Sequence, residues 1–279
     1  MNSTTNLAAD VMASAITEPF AVVDDFLPLE LANSMRADID RHFSDPNRHR
    51  AETHMIWNYW YVPDTYTYLR ALPERIIERE RVESFMSALR DWTTTRLGLG
   101  FVTWPILSLY IDGCNQQLHN DSTNGRFAFV YSLTKPVRRT TGGGTIVMSA
   151  GDPFRRNLAR PMTHRGFCQV IEPQFNRLAV FDDRVIHGVE RVEGSMDPME
   201  GRFVLHGHIK DDGPLMAGPL SREALVAGLQ ETLGLFVAQL GEEAFRFHGP
   251  ISVRFAIDPA GAVQRLHILV DRVTHVDER

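Results

Sequence analysis

Three side chains of this sequence could hold a metal ion, and a cation follows them. His119 and Asp121 stand in His119-Asn120-Asp121, His187 in Val185-Ile186-His187-Gly188, and Arg202 in Gly201-Arg202-Phe203-Val204-Leu205. Two imidazoles and one carboxylate are the ligand set that leaves three adjacent positions open on a non-haem Fe(II), the arrangement O₂ activation needs. A bare His-x-Asp says little, since eleven histidines make about one chance copy expected. His275-Val276-Asp277 is such a copy, with nothing after it to complete a site. An arginine aimed into a cavity implies an anion there, and its planar fork suits a carboxylate, so a dicarboxylate is the natural occupant.

The surroundings of His119 set it apart. The apolar run Ile106-Leu-Ser-Leu-Tyr110 breaks at Asp112-Gly113 and resumes toward Gln117-Leu118-His119. Side chains alternate along an extended strand, so His119 and Asp121 are expected to point one way, together with Gln117 and Asn115, while Asn120 points away. Gln117 and Asn115 thereby become candidate substrate contacts. Arg177-Leu-Ala-Val-Phe181 reads as a buried strand and Asp182-Asp183-Arg184 as the turn before His187. Beyond a polar insertion from Glu190 to Glu200, the strand Arg202 to Ile209 places Arg202, Val204, His206 and His208 on one face. Gly142-Gly143-Gly144 lacks the lysine of a phosphate loop and reads as a tight turn into Thr145-Ile-Val-Met148. The aromatic segment His54 to Tyr61 either covers the cavity mouth or fills space between helix and sheet, which makes Trp57 and Tyr59 candidate substrate contacts.

Together these blocks resemble the Fe(II)- and 2-oxoglutarate-dependent dioxygenases, in their prolyl 4-hydroxylase-like branch. The resemblance runs over roughly residues 18 to 210. It is carried by Tyr110-x-x-Gly113, His119-x-Asp121, Gly142-Gly-Gly-Thr145, Ile171-Glu-Pro-Gln-Phe-Asn-Arg-Leu-Ala-Val-Phe181, His187 with Arg202, and the opening Pro19 to Leu27. It implies a double-stranded β-helix (a jelly roll, cupin-like) in which His119, Asp121 and His187 hold iron. Arg202 and Tyr110 would hold the far carboxylate of 2-oxoglutarate, with His206 beside them. It also implies hydroxylation of an unactivated C–H bond by O₂ with release of succinate and CO₂, and ascorbate as a stimulant. Two departures leave the substrate open among amino-acid-like, peptidyl and natural-product classes. Ser132 stands where the branch often has tyrosine, and Ser195 to Glu200 lengthens the step from His187 to Arg202. A zinc-dependent hydrolase built on the same three ligands, and a non-catalytic jelly-roll binding module, are the alternatives.

Composition fits an enzyme of this kind. The 279 residues, 43% of them hydrophobic, suffice for one large domain with an appendage. A formal charge of −6 with no basic stripe argues against nucleic acid as a partner. No segment approaches the roughly 20 apolar residues of a membrane span, and the N-terminus has no signal-like pattern. Cys114 and Cys168 are too few for a disulfide framework, so a cytoplasmic location is expected.

The fold class expected is α+β, mostly β. A dioxygenase domain would span 1–212, with its β core at about 101–210, and a C-terminal extension 213–279. Helices are expected at 27–43 and 73–97, the second burying Val82, Phe85, Met86, Leu89 and Trp92 outside the barrel. The extension should hold an amphipathic helix from Ser221 to Phe236. A hairpin should follow, Ile251–Ile257 and Ala262–Val270 around Asp258-Pro-Ala-Gly261, serving homodimerisation or partner contact.

Overall fold

The structure, a computed structural model, describes residues 15–44, 56–148, 168–241 and 247–275. Two compact units emerge: Glu18–Asp91 with Gly100–Asp211, and Trp92–Leu99 with residues 15–17 and the chain from Asp212 onward. The second unit thus draws on three parts of the sequence, not on the extension alone.

In the larger unit the chain lays down β1 (Phe20–Val23), α1 (Leu29–Ser44), β2 (Asn58–Val62) and β3 (Tyr66–Ala71). After α2 (Arg79–Arg96) come β4 (Phe101–Val102), β5 (Ile106–Tyr110), β6 (Asn115–His119), β7 (Phe127–Ser132) and β8 (Thr145–Met148). β9 (Cys168–Ile171), β10 (Leu178–Asp182), β11 (His187–Val189) and β12 (Arg202–Lys210) complete it. Among the described residues these strands form one curled antiparallel sheet, in the order β1-β10-β7-β12-β5-β3-β6-β11-β8-β9. β3 joins its halves: Leu69, Arg70 and Ala71 pair with β5, and Tyr66 and Thr67 pair with β6. The result is the expected jelly roll, with the β2–β3 hairpin as an addition that the sequence reading did not assign. Its tight turn runs through Asp64, at φ 58°.

Helices cover the outer face of the first half. On α2 the buried Val82, Phe85, Met86 and Leu89 recur at three- and four-residue steps. Phe85 stacks on Tyr131, with ring centroids 4.9 Å apart, and lies 6.1 Å from Phe129. The helix begins later than expected, because Pro73–Arg75 is a separate 3-10 turn. Asn176 pins the entry to α1: its amide bonds both backbone groups of Leu27, at 3.0 and 2.8 Å, and accepts from the Tyr131 hydroxyl at 2.8 Å. Its φ of 61° suits asparagine, whose short polar side chain tolerates the left-handed region. On the opposite face of β12 the alternation turns Arg202, Val204, His206 and His208 toward a cavity, while Phe203 packs against Phe43 and Trp57.

The smaller unit contains α3 (Arg222–Leu240), β13 (Phe247–His248), β14 (Ile251–Ile257), β15 (Val263–Asp271) and β16 (Thr274–His275). The Ser221 hydroxyl caps α3 by accepting from the Ala224 amide. Yet α3 buries no side chain and exposes Leu233, Leu235, Phe236 and Val237, so the expected apolar face has no core beneath it among the described residues. β14 and β15 pair across the Asp258–Gly261 turn, where the Asp258 carboxylate accepts from the Ala260 and Ala262 amides. Arg254 donates to the Thr94 and Thr95 carbonyls at the end of α2, satisfying C-terminal carbonyls that the helix leaves open. No helix among the described residues is long and apolar enough to cross a membrane.

Candidate active site

Strand pairing brings the two imidazoles together. His119 on β6 is directly opposite His187 on β11, and their ring centroids are 4.5 Å apart. The Nδ1 of His119 lies 2.7 Å from the Gln117 carbonyl, and that of His187 lies 2.9 Å from the Val185 carbonyl. A carbonyl only accepts, so each Nδ1 carries the proton and each Nε2 keeps its lone pair for a metal.

Asp121 follows β6 in a turn. Its amide donates to the Asp183 carbonyl at 2.9 Å, and the Asn124 side-chain amide donates to its Oδ1 at 3.0 Å. Oδ2 remains 3.4 Å from His187 Nε2 and 4.0 Å from His119 Nε2. The ligand atoms of all three residues lie within 4.8 Å of one another, a group that could hold a metal ion. Adjacent ligands at bond lengths of about 2.1 Å sit roughly 3 Å apart, slightly closer than these atoms.

The charge states suit an ion. Burial holds the His119 imidazole below its ordinary pKa, against the Gln117 hydrogen bond. For Asp121 burial pushes upward, but the neighbouring His187 and His119 imidazoles outweigh it and hold the carboxyl below its usual range. Behind Asp121, the buried Asp183 carboxylate bonds His208 Nδ1 at 3.1 Å, and burial pushes its pKa up. Asp121, Asp183 and His208 form a second cluster of potential ligands, in which Asp183 and His208 are already joined to each other.

His119, Asp121, His187 and His208 line a cavity of about 240 Å³ that also receives Arg202, Tyr110 and Thr145. Arg202 is 1% exposed, donates from Nη2 to Thr145 Oγ1 at 3.1 Å, and lies over the Tyr110 ring at 4.7 Å. Its Nε and Nη1 are buried with no hydrogen-bond partner among the described residues. A guanidinium so placed is costly without an anion, because burial disfavours the charged form. Room for its stem comes from Gly143, at φ 78°, where a Cβ would stand 2.9 Å from Arg202 Cδ. Burial pushes the Tyr110 hydroxyl far above its ordinary pKa, so it remains a donor.

No family model and no curated protein matches the sequence. Solved structures do match. A prolyl-4-hydroxylase from Pseudomonas putida aligns at 18% identity over 70% of this chain and 93% of its own, with a TM-score of 0.50. A prolyl hydroxylase from Trichoplax adhaerens, in complex with a hypoxia inducible factor oxygen degradation domain peptide fragment, aligns at 15% identity over 76% of this chain and 95% of its own, with a TM-score of 0.53. The fold is that of the prolyl hydroxylases.

Within this prolyl-hydroxylase fold the other sequence candidates divide. His206 lines the cavity, with Nε2 2.8 Å from the buried Ser108 hydroxyl; burial and then Arg202 push its pKa down to about 3, so it is neutral. Gln117 and Asn115 are not among the lining residues; Gln116 is. The reason is a bulge: three residue steps on β6, from Gln116 to His119, oppose two on β11, which shifts the alternation behind His119. Gly188 fits this bulge, since a Cβ there would stand 2.8 Å from the Gln116 carbonyl. Nor does Asp121 share a strand with His119; the turn, not alternation, brings it round.

Trp57 stacks on Phe43 at 5.7 Å and donates Nε1 to His42 Nε2 at 3.2 Å, filling space between α1 and the sheet. Tyr59 is 62% exposed and stacks on Tyr61. Their neighbour Trp60 lines the cavity instead, with Tyr66, Tyr68 and Arg70 of β3. The signal for these three was the alternation Tyr66-x-Tyr68-x-Arg70, a one-face pattern resuming after Pro63-Asp64.

Proposed function

We propose that the protein is an Fe(II)- and 2-oxoglutarate-dependent dioxygenase that hydroxylates an unactivated C–H bond of an amino-acid-like, peptidyl or natural-product substrate. The observation that carries this is Arg202: a buried guanidinium with unpartnered Nε and Nη1, in the same cavity as two imidazoles and a carboxylate whose donor atoms converge. The fold shared with two prolyl hydroxylases supports it.

His119, Asp121 and His187 would hold the iron, each oriented by a hydrogen bond from its far side. Arg202 would take the far carboxylate of 2-oxoglutarate in its fork, with the Tyr110 hydroxyl donating to the same group. Thr145 Oγ1 fixes the guanidinium for that task. When bound, ferrous ion and 2-oxoglutarate supply the oxidation of a C–H bond by O₂, with succinate and CO₂ released. Neutral His206 adds no competing charge beside Arg202. Phe181, 4.6 Å from the His187 ring, and Tyr66, edge-on to His119 at 5.1 Å, wall the imidazoles and limit water.

A zinc hydrolase would need a general base besides its ligands. Among the described lining residues Asp121 is the one carboxylate, and Asp183 behind it is tied to His208. The test is succinate formation from 2-oxoglutarate with Fe(II), Zn(II) and no metal. Turnover with Fe(II) alone, lost in His187→Ala, is expected. Binding of neither Mn(II) nor 2-oxoglutarate by the folded protein would overturn the assignment, and a non-catalytic module would be left.

A further inference from the structure

Arg70 lines the same cavity as Arg202 but takes no part in holding the ion or the keto-diacid. It shares the inward face of β3 with Tyr66 and Tyr68, and its guanidinium carbon lies 3.4 Å from the Trp60 ring centroid. The Tyr68 hydroxyl is its other near neighbour. Both partners are neutral, and among the described residues no carboxylate forms an ion pair with it. A guanidinium held against an indole face keeps N–H donors for another ligand.

Charge balance says what that ligand is. The described residues lining the cavity carry two guanidiniums against the single carboxylate of Asp121. A divalent ion and the doubly negative keto-diacid cancel, Asp121 offsets one guanidinium, and one positive charge is left over. Away from bulk water such a charge acts more strongly than on an open surface. Arg202 is the buried one, whereas Arg70 is partly exposed beside Trp60, itself 37% exposed. The leftover charge therefore belongs where the substrate enters. A planar fork selects a planar two-oxygen anion.

We propose that Arg70, backed by Trp60, is a specificity-determining residue that pairs with a carboxylate of the substrate. This rests on the dioxygenase reading for the charge count, and it narrows the substrate to an acid: a free α-carboxylate, or the side chain of an aspartyl or glutamyl residue.

The experiment is isothermal titration of the full chain with Mn(II) and 2-oxoglutarate present. One arm uses N-acetyl amino acids against their matched amides, the other N-acetyl-aspartyl and N-acetyl-glutamyl amides against the asparaginyl and glutaminyl amides. At least one acid is expected to bind tenfold or more tightly than its amide. Arg70→Gln should erase that preference and Arg70→Lys should keep part of it. The arm showing the preference identifies the source of the carboxylate. Should Arg70→Gln not fold, wild-type protein still decides, because the acid should weaken with added salt while the amide does not. A panel in which no acid exceeds its amide, or a preference retained in folded Arg70→Gln, overturns the proposal. Failure of 2-oxoglutarate itself to bind in the same cell instead overturns the dioxygenase reading, and with it the charge count.

Discussion

On the proposed function, replacing Arg202 by methionine should make the ligand-free protein more stable and weaken 2-oxoglutarate binding. Arg202 is 1% exposed, with two guanidinium nitrogens lacking any partner, and its neighbours are the Thr145 hydroxyl and the Tyr110 ring. An unbranched apolar side chain of similar length fills the space beside Gly143 without a charge to desolvate. Substitutions of buried ionic groups by apolar residues of similar volume are typically neutral or stabilising by about 1–4 kcal/mol. At about 2–4 °C per kcal/mol for a chain of this size class, a rise in melting temperature of several degrees is expected. The carboxylate of 2-oxoglutarate then loses its charged partner, which costs about 2–5 kcal/mol, or at least roughly 30-fold in affinity. The assays are thermal denaturation without ligand and titration of 2-oxoglutarate into Mn(II)-loaded protein. If Arg202 instead served only to pack on Tyr110, the variant would melt lower than wild type and bind 2-oxoglutarate unchanged; that pair of results would falsify the assignment.

Three further outcomes follow from particular contacts. Asn124→Ala removes the 3.0 Å bond that orients Asp121 Oδ1 and should weaken Mn(II) affinity about tenfold, read by paramagnetic resonance; unchanged affinity would mean that the backbone bond to Asp183 suffices. Asn176→Ala deletes three buried hydrogen bonds and puts alanine at φ 61°, so urea denaturation should show a loss of about 2–4 kcal/mol. His206, with a folded pKa of about 3, should make the protein less stable in acid. Because the unfolded chain takes up a proton that the folded state refuses, this contribution is complete above pH 6.5. It declines by up to about 1.4 kcal/mol per pH unit below that, levelling near pH 3. His206→Gln should flatten that slope, and an identical slope in the variant would show that other groups cause it.

The jelly roll and the convergence of His119, His187 and Arg202 were legible because they rest on strand alternation and on blocks local in sequence. β12 shows this directly: Arg202, Val204, His206 and His208 line the cavity as their spacing requires. The same rule failed on β6. A bulge in β6 opposes three residue steps to two, so Gln116 and not Gln117 faces inward, and nothing in Asn115-Gln-Gln-Leu-His119 announces the extra residue. Trp57 and Tyr59 were chosen as aromatic residues near the mouth, but the phase of β2 assigns that position to Trp60. Phase depends on pairing with β3, and a short aromatic run carries no record of which partner it will take. The apolar pattern of α3 was legible as a helix, yet the face it would bury is not set by the helix itself.

The two arginines of the cavity differ in a way that orders its filling. Arg70 has neutral company in Trp60 and Tyr68 and is partly exposed, so it can wait for a partner at little cost. Arg202 is 1% exposed, and its Nε and Nη1 have no partner among the described residues. The larger electrostatic relief therefore comes from placing an anion at Arg202. A substrate carboxylate arriving first would be drawn to that deeper charge and would occupy the keto-diacid's position. Acids small enough to reach Arg202 should accordingly inhibit in competition with 2-oxoglutarate, whereas acids held at Arg70 should bind better once 2-oxoglutarate is in place. Reciprocal titrations distinguish these cases, since coupling between two ligands has the same magnitude from either side.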